Sequence, residues 1–120
     1  MRLTLGQIAG LSLVALTLGA GQLLFKLAAS RLVVDGGLSD LLASFLSFHL
    51  LLALCLYGVA TLAWIYLLHG VPLTVAYPFV ALALASVPIL SWFFLGETIS
   101  LKYFAGLTLI LGGLYIIVRP

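Results

Sequence analysis

Charge is the scarcest commodity in this sequence. Five Lys/Arg and three Asp/Glu among 120 residues amount to 7%, where an ordinary soluble domain carries about 25%. A chain this poor in charge cannot cover a globule with polar surface, which excludes a soluble enzyme, a nucleic-acid binder and a disordered chain. Cysteine is nearly absent too. Cys55 stands alone among leucines, so an intrachain disulfide, a CxxC redox pair and a thiolate metal site are excluded. The two histidines, His49 and His69, fall in different connections, which leaves no metal pair, and no metal or other cofactor is expected. There is no HExxH, no GxSxG and no phosphate loop, and the carboxylates Asp35, Asp40 and Glu97 all lie near the ends of apolar runs, so enzyme chemistry is not expected. The pI of 8.9 reflects an excess of two positive charges rather than a basic patch.

What is abundant is hydrocarbon: 65% of the residues are hydrophobic and the mean hydropathy is +1.37. A bilayer core about 30 Å thick takes roughly 20 apolar residues per helical span. Four runs meet that length, at about 3–28, 50–68, 72–95 and 101–118. The expected fold is all-α and integral to the membrane: a single membrane domain over residues 1–120, with four transmembrane helices and a short interfacial helix between the first and second. The first run, which follows Arg2, is longer than the apolar region of a signal peptide. Short turns at 69–72 and 96–100 make spans two, three and four antiparallel neighbours.

The one long connection, 30–49, has structure of its own. Asp35-Gly36-Gly37 reads as a turn, Ser39 or Asp40 as an N-cap, and 41–48 as an interfacial helix that leaves His49 near the headgroups. The alternative, one helix over 41–68, would be about 42 Å long and strongly tilted. Orientation stays open, because Arg2 and Arg119 on one side face Lys26, Arg31 and Lys102 on the other.

Small residues mark expected helix contacts. Gly6 and Gly10, then Thr17 and Gly21, are four apart in span one; Gly106 and Gly113 are two turns apart in span four, with Gly112 alongside. Gln22 and Lys26 share a helix face at the end of span one. A terminal lysine alone can snorkel to the interface, but an amide one turn deeper also needs a partner, and the two together read as a binding feature. Glu97 falls on the same membrane side as Lys26 and Arg31, placing one acid and two bases near one mouth; its other reading is a turn residue favoured by the dipole of span four. Pro72 suits a first helical turn. Pro78 and Pro88 are interior, kink the span and free the carbonyls of Thr74 and Leu84, an arrangement tolerated where neighbours or a cavity satisfy them. Tyr77, with Trp64 and Tyr66 on span two, is placed to line such a cavity, although Tyr66 and Trp92 also suit an interfacial aromatic belt.

The stretch VPLTVAYPFVALALASVPILSWFFLGETISLKYFAGLTLILGGLYIIV, with its Val-Pro leading into Ala-Tyr-Pro, its Gly-Glu turn and its glycine-rich last span, resembles the C-terminal half of an EamA domain of the drug/metabolite transporter superfamily. With GAGQLLFK at the end of span one, the chain is similar to the small four-helix subunits of the 4-amino-4-deoxy-arabinose-phosphoundecaprenol flippase. That resemblance implies transport of an undecaprenyl-phosphate-linked aminosugar across the bacterial inner membrane in lipopolysaccharide modification, by a homodimer or a heterodimer with a similar four-helix subunit, without nucleic acid. On this reading Lys26 and Arg31 neutralise the phosphate, Gln22 and Tyr77 hydrogen-bond sugar hydroxyls, Trp64 lines the path, and Glu97 meets the amine. Two alternatives remain. The small multidrug resistance family shares the four-helix layout, but it relies on a glutamate in span one, and residues 14–21 contain no carboxylate here. A non-transporting assembly subunit would have no use for interior prolines or for the Gln22 and Lys26 pair.

Overall fold

A computed structural model describes residues 3–119; Arg2, counted in the charge balance above, lies outside them. Every regular element among the described residues is helical. Helix α1 (Leu5–Ala29) runs 25 residues, about 37 Å at 1.5 Å per residue. It starts at Thr4 with a reciprocal cap: the Gln7 N–H donates to Thr4 Oγ1 at 3.1 Å and the Thr4 N–H donates to Gln7 Oε1 at 3.0 Å. Such a cap satisfies two donors that the first turn would otherwise leave open, and a cap residue contributes about 1 kcal/mol.

The connection after α1 departs from the expected boundaries. Helix α2 (Leu38–Ser44) begins before either Ser39 or Asp40, and the residue that caps it is Gly37, at φ 95° and without a side-chain hydrogen bond. That left-handed backbone is open to glycine at little cost, and it turns the chain earlier than a polar cap would. The helix also ends at Ser44 rather than reaching residue 48. The Ser44 hydroxyl donates to the Leu41 carbonyl at 2.7 Å and accepts the Val33 N–H at 3.2 Å, tying the end of α2 back to the preceding loop. Ser47, accepting the Leu50 N–H at 3.2 Å, then starts helix α3 (Phe48–Gly70). The two helices are therefore separate, and no single helix runs over 41–68. His49 and His69 accordingly sit in the first and last turns of one helix rather than in two connections.

The third apolar run is interrupted once. Helix α4 (Leu73–Ala76) passes into a 3₁₀ turn (Tyr77–Val80) and then into α5 (Ala81–Leu95). Pro78 lies in the 3₁₀ turn, whose tighter pattern accommodates the missing N–H. Helix α5 continues through Pro88 and ends at Gly96, left-handed at φ 69°. Helix α6 (Leu101–Val118) is capped by Ser100, which accepts the Tyr103 N–H at 3.1 Å.

Three segments, Leu5–Ala29, Phe48–Gly70 and Leu73–Leu95, are long and apolar enough to cross a membrane, and α6 is a shorter apolar helix of 18 residues. The chain is a multi-pass membrane protein.

Helix α1 is the axis of the packing, with α3 on one side and α5 on the other. Glycine permits both approaches. A Cβ at Gly10 would lie 3.0 Å from Leu67, and one at Gly21 would lie 2.6 Å from Cδ2 of the Tyr57 ring, both on α3. Eleven residues make just over three full turns, so these two glycines share one face. Gly19 lies on the opposite face, where a Cβ would be 2.7 Å from Ser86 Oγ and 3.5 Å from the Ala83 Cα on α5. Where burial between helices gives little drive, such backbone approach is what van der Waals contact requires. The core centres on Leu11, Val71 and Ala76, with Leu67, Trp64 and Phe79 packed around them. Helix α6 is set apart. Its main contacts among the described residues are with α5 and the 3₁₀ turn along a short stretch, and Cβ atoms at Gly106, Gly112 or Gly113 would find nothing within 4 Å. Gly6 likewise faces no other helix.

Candidate functional site

Where the 3₁₀ turn packs beside α1 and α3, Trp64 and Tyr77 line a largely apolar cleft of about 250 Å³ together with Leu18, Ala60, Thr61 and Val80. The cleft exists because the 3₁₀ turn at Pro78 breaks the α-helical stacking just where Tyr77 and Val80 face α1 and α3. Leu18 and Gln22 are one turn apart on α1, and Thr61 and Tyr57 are one turn apart on α3. The walls of the cleft thus lead directly to a second polar pair, in which the Gln22 side-chain amide donates to the Tyr57 hydroxyl. Phe25 packs on the Tyr57 ring with centroids 4.9 Å apart and planes at 51°. One turn beyond Gln22 comes Lys26, exposed in the last turn of α1. Arg31, also exposed, follows immediately after the helix, where its N–H donates to the Ala28 carbonyl at 3.1 Å.

Glu97 lies elsewhere. It lines a cavity of about 520 Å³ with Val87, Pro88 and Ser91 of α5, Thr98, Ile99 and Ser100 of the turn, and Tyr103 of α6. None of Gln22, Lys26, Arg31, Trp64 or Tyr77 lines that cavity. Glu97 and the bases Lys26 and Arg31 thus share no cleft among those described. Both Gly96 and Glu97 donate their N–H groups to the Ser91 carbonyl, which folds the acidic turn back over the end of α5.

Tyr57 and Gly19 were invisible to motif reading. Tyr57 sits in a featureless leucine-rich run, and its pairing depends on the α1–α3 register; a signal existed only in that Gln22 needed a hydrogen-bonding partner and Tyr57 was a polar tip on the facing span. His49 is half-buried, with Nδ1 shielded and unpartnered at the start of α3.

Comparison with known proteins agrees with this architecture. The family model for the EamA-like transporter family matches residues 1–119. The probable 4-amino-4-deoxy-L-arabinose-phosphoundecaprenol flippase subunit ArnE of Pectobacterium atrosepticum is 34% identical over 67 residues, 56% of this chain and 59% of that protein. Its counterpart from Enterobacter sp. strain 638 is 35% identical over 68 residues, 57% of this chain and 64% of that protein. The subunit from Escherichia coli O81 is 35% identical over 66 residues, 55% of this chain and 60% of that protein. The matches thus span about 60% of the length of these relatives. No solved structure matches the chain.

Proposed function

We propose, proceeding from the fact that this chain belongs to the EamA-like transporter family, that it is one subunit of a flippase moving an undecaprenyl-phosphate-linked aminosugar across the bacterial inner membrane. The observation that carries this reading is the Gln22–Tyr57 hydrogen bond between α1 and α3, one turn from Lys26 on one side and from the cleft of Trp64 and Tyr77 on the other, in a chain otherwise built of hydrocarbon. Polar groups at membrane depth are costly, and a polar head needs such groups in order to leave the interface while its polyprenyl tail stays in lipid. Lys26 and Arg31 neutralise the phosphate at headgroup depth. Gln22 and Tyr77 meet sugar hydroxyls, and Trp64 walls the deeper cleft. Glu97, in its own cavity between α5 and α6, is the acid available to the sugar's ammonium.

Assembly belongs to the same proposal. The flippase relatives are named as subunits, and on α6 a Cβ added at Gly106 or Gly113 would find nothing within 4 Å. A second four-helix chain, identical or similar, docks on α6. The short α2 lies in the membrane interface, its Leu38 and Leu42 side chains exposed to the acyl boundary.

Transport in proteoliposomes tests the reading. Undecaprenyl phosphate carrying 4-amino-4-deoxy-L-arabinose is expected to change leaflets in vesicles that contain the chain with its partner subunit, and to stay put in empty vesicles. Equal rates in both would reject a flippase. Export of a small cation with no movement of the lipid-linked sugar would favour the multidrug-type exporter instead.

A further inference from the structure

The Gln22–Tyr57 hydrogen bond uses only part of each group. The amide spends one N–H, which leaves its carbonyl oxygen free to accept, and the phenol spends a lone pair, which leaves its O–H free to donate. Within a span no water is at hand to take up either group. Gln22 is exposed and Tyr57 half-buried, so both remain accessible. The phenol is also held in place on two sides. Its ring is seated on Gly21, where a Cβ would approach Cδ2 to 2.6 Å, and Phe25 packs against it at a centroid distance of 4.9 Å. A fixed donor beside a fixed acceptor matches a pair of neighbouring sugar hydroxyls, one accepting and one donating. The pair lies one turn inside Lys26, about 6 Å along the axis. A sugar ring joined directly to a phosphate spans a comparable distance.

Resting on the function proposed above, we infer that Tyr57 is a specificity-determining residue: it reads the sugar, while Lys26 reads the phosphate. Gly21 is the clearance that lets its ring reach that position, and Gln22 sets the direction of its hydroxyl.

Binding to the full chain in nanodiscs, together with its partner subunit, tests this with two probes: undecaprenyl phosphate bare, and the same lipid carrying 4-amino-4-deoxy-L-arabinose. Tyr57→Phe keeps the ring and removes only the hydroxyl. It is expected to weaken the sugar-bearing lipid about 5-fold, the scale of one lost hydrogen bond, and to leave the bare lipid within about 2-fold of the wild type. Gln22→Leu is expected to show the same selective loss, and combining the two should cost less than the product of the single effects, because they act as one unit. If Tyr57→Phe does not yield a monodisperse protein, Gln22→Leu, which leaves the ring packed, carries the same comparison. Equal loss for both lipids, or none for either, overturns the inference. A wild type that binds neither lipid overturns the proposed function along with it, whereas a wild type that prefers the sugar-bearing lipid, with variants that keep the same preference, overturns only the role of Tyr57.

Discussion

Two regions of this molecule have similar composition and opposite surroundings. Helix α1 carries glycines on two faces and is packed through both, with Leu11 fully buried and Gly19 against the backbone of α5. Helix α6 carries glycines too, yet Leu109 is 78% and Ile116 74% exposed, and a Cβ at Gly106, Gly112 or Gly113 would find nothing within 4 Å. Glycine in an apolar helix permits close approach but does not supply the approaching partner. The same motif therefore has different consequences: in α1 it determines the fold of this chain, and in α6 it is free for lipid or a second chain.

The largest expected effect lies where α1 is most crowded. Gly19→Leu must displace α5 backbone as well as the Ser86 hydroxyl, and it should destabilise the bundle by about 3 kcal/mol or more. Loss of folded, monodisperse protein on heating in detergent would register it. Gly113→Leu meets nothing in its own chain, so thermal stability in detergent should be almost unchanged. Equal destabilisation at the two sites would erase the contrast.

The transport site comes next. Lys26→Ala should lower transport of the lipid-linked sugar on the order of tenfold or more, as expected for a lost charge-assisted contact, and Lys26→Arg should retain part of it because the charge persists. A lysine that only snorkels predicts near wild-type rates for both. The assay is the same proteoliposome measurement, with expression and assembly checked for each variant.

Association distinguishes the two uses of glycine. In a Cys55→Ser background, Gly106→Cys is expected to crosslink to a second chain, and Gly113→Leu added to it should abolish the crosslink while the fold survives. Failure of Gly106→Cys to crosslink, or full transport by chains shown to be single, would mean that α6 faces only lipid.

The smallest effects are expected at the caps. Thr4→Ala and Ser100→Ala each remove a side-chain acceptor from a first turn and should cost about 1 kcal/mol. If α6 lacks tertiary support, the loss at Ser100 should appear as local fraying of its first turn in hydrogen exchange, whereas the loss at Thr4 should spread through the packed core.

Much of the fold was legible because length and hydropathy act locally. The apolar runs, the turn at Asp35-Gly36-Gly37 and the break at Pro78 all follow from the residues in place. The ends of α2 did not, since a Gly37 backbone angle and a Ser44 hydroxyl reaching back to Val33 decided them. At the site, Gln22 and Lys26 were legible as one helix face, and Trp64 and Tyr77 as aromatics beside a break. The pairing of Gln22 with Tyr57 was not, nor was the cavity that Glu97 lines without them. Sharing a membrane side says nothing about which face of a helix looks at which neighbour.

By itself, then, the sequence determined the solvent, the helical class, the approximate spans and the candidate polar groups, because apolar run length and the need to satisfy backbone hydrogen bonds in lipid leave almost no alternative. Helix packing settled which glycines carry contacts, that Tyr57 is the partner of Gln22, and that Glu97 lines a cavity without Gln22, Lys26 or Arg31. Those outcomes depend on the rotation and register of each helix about its own axis, and helices that are apolar on every side carry no amphipathic stripe from which rotation can be read.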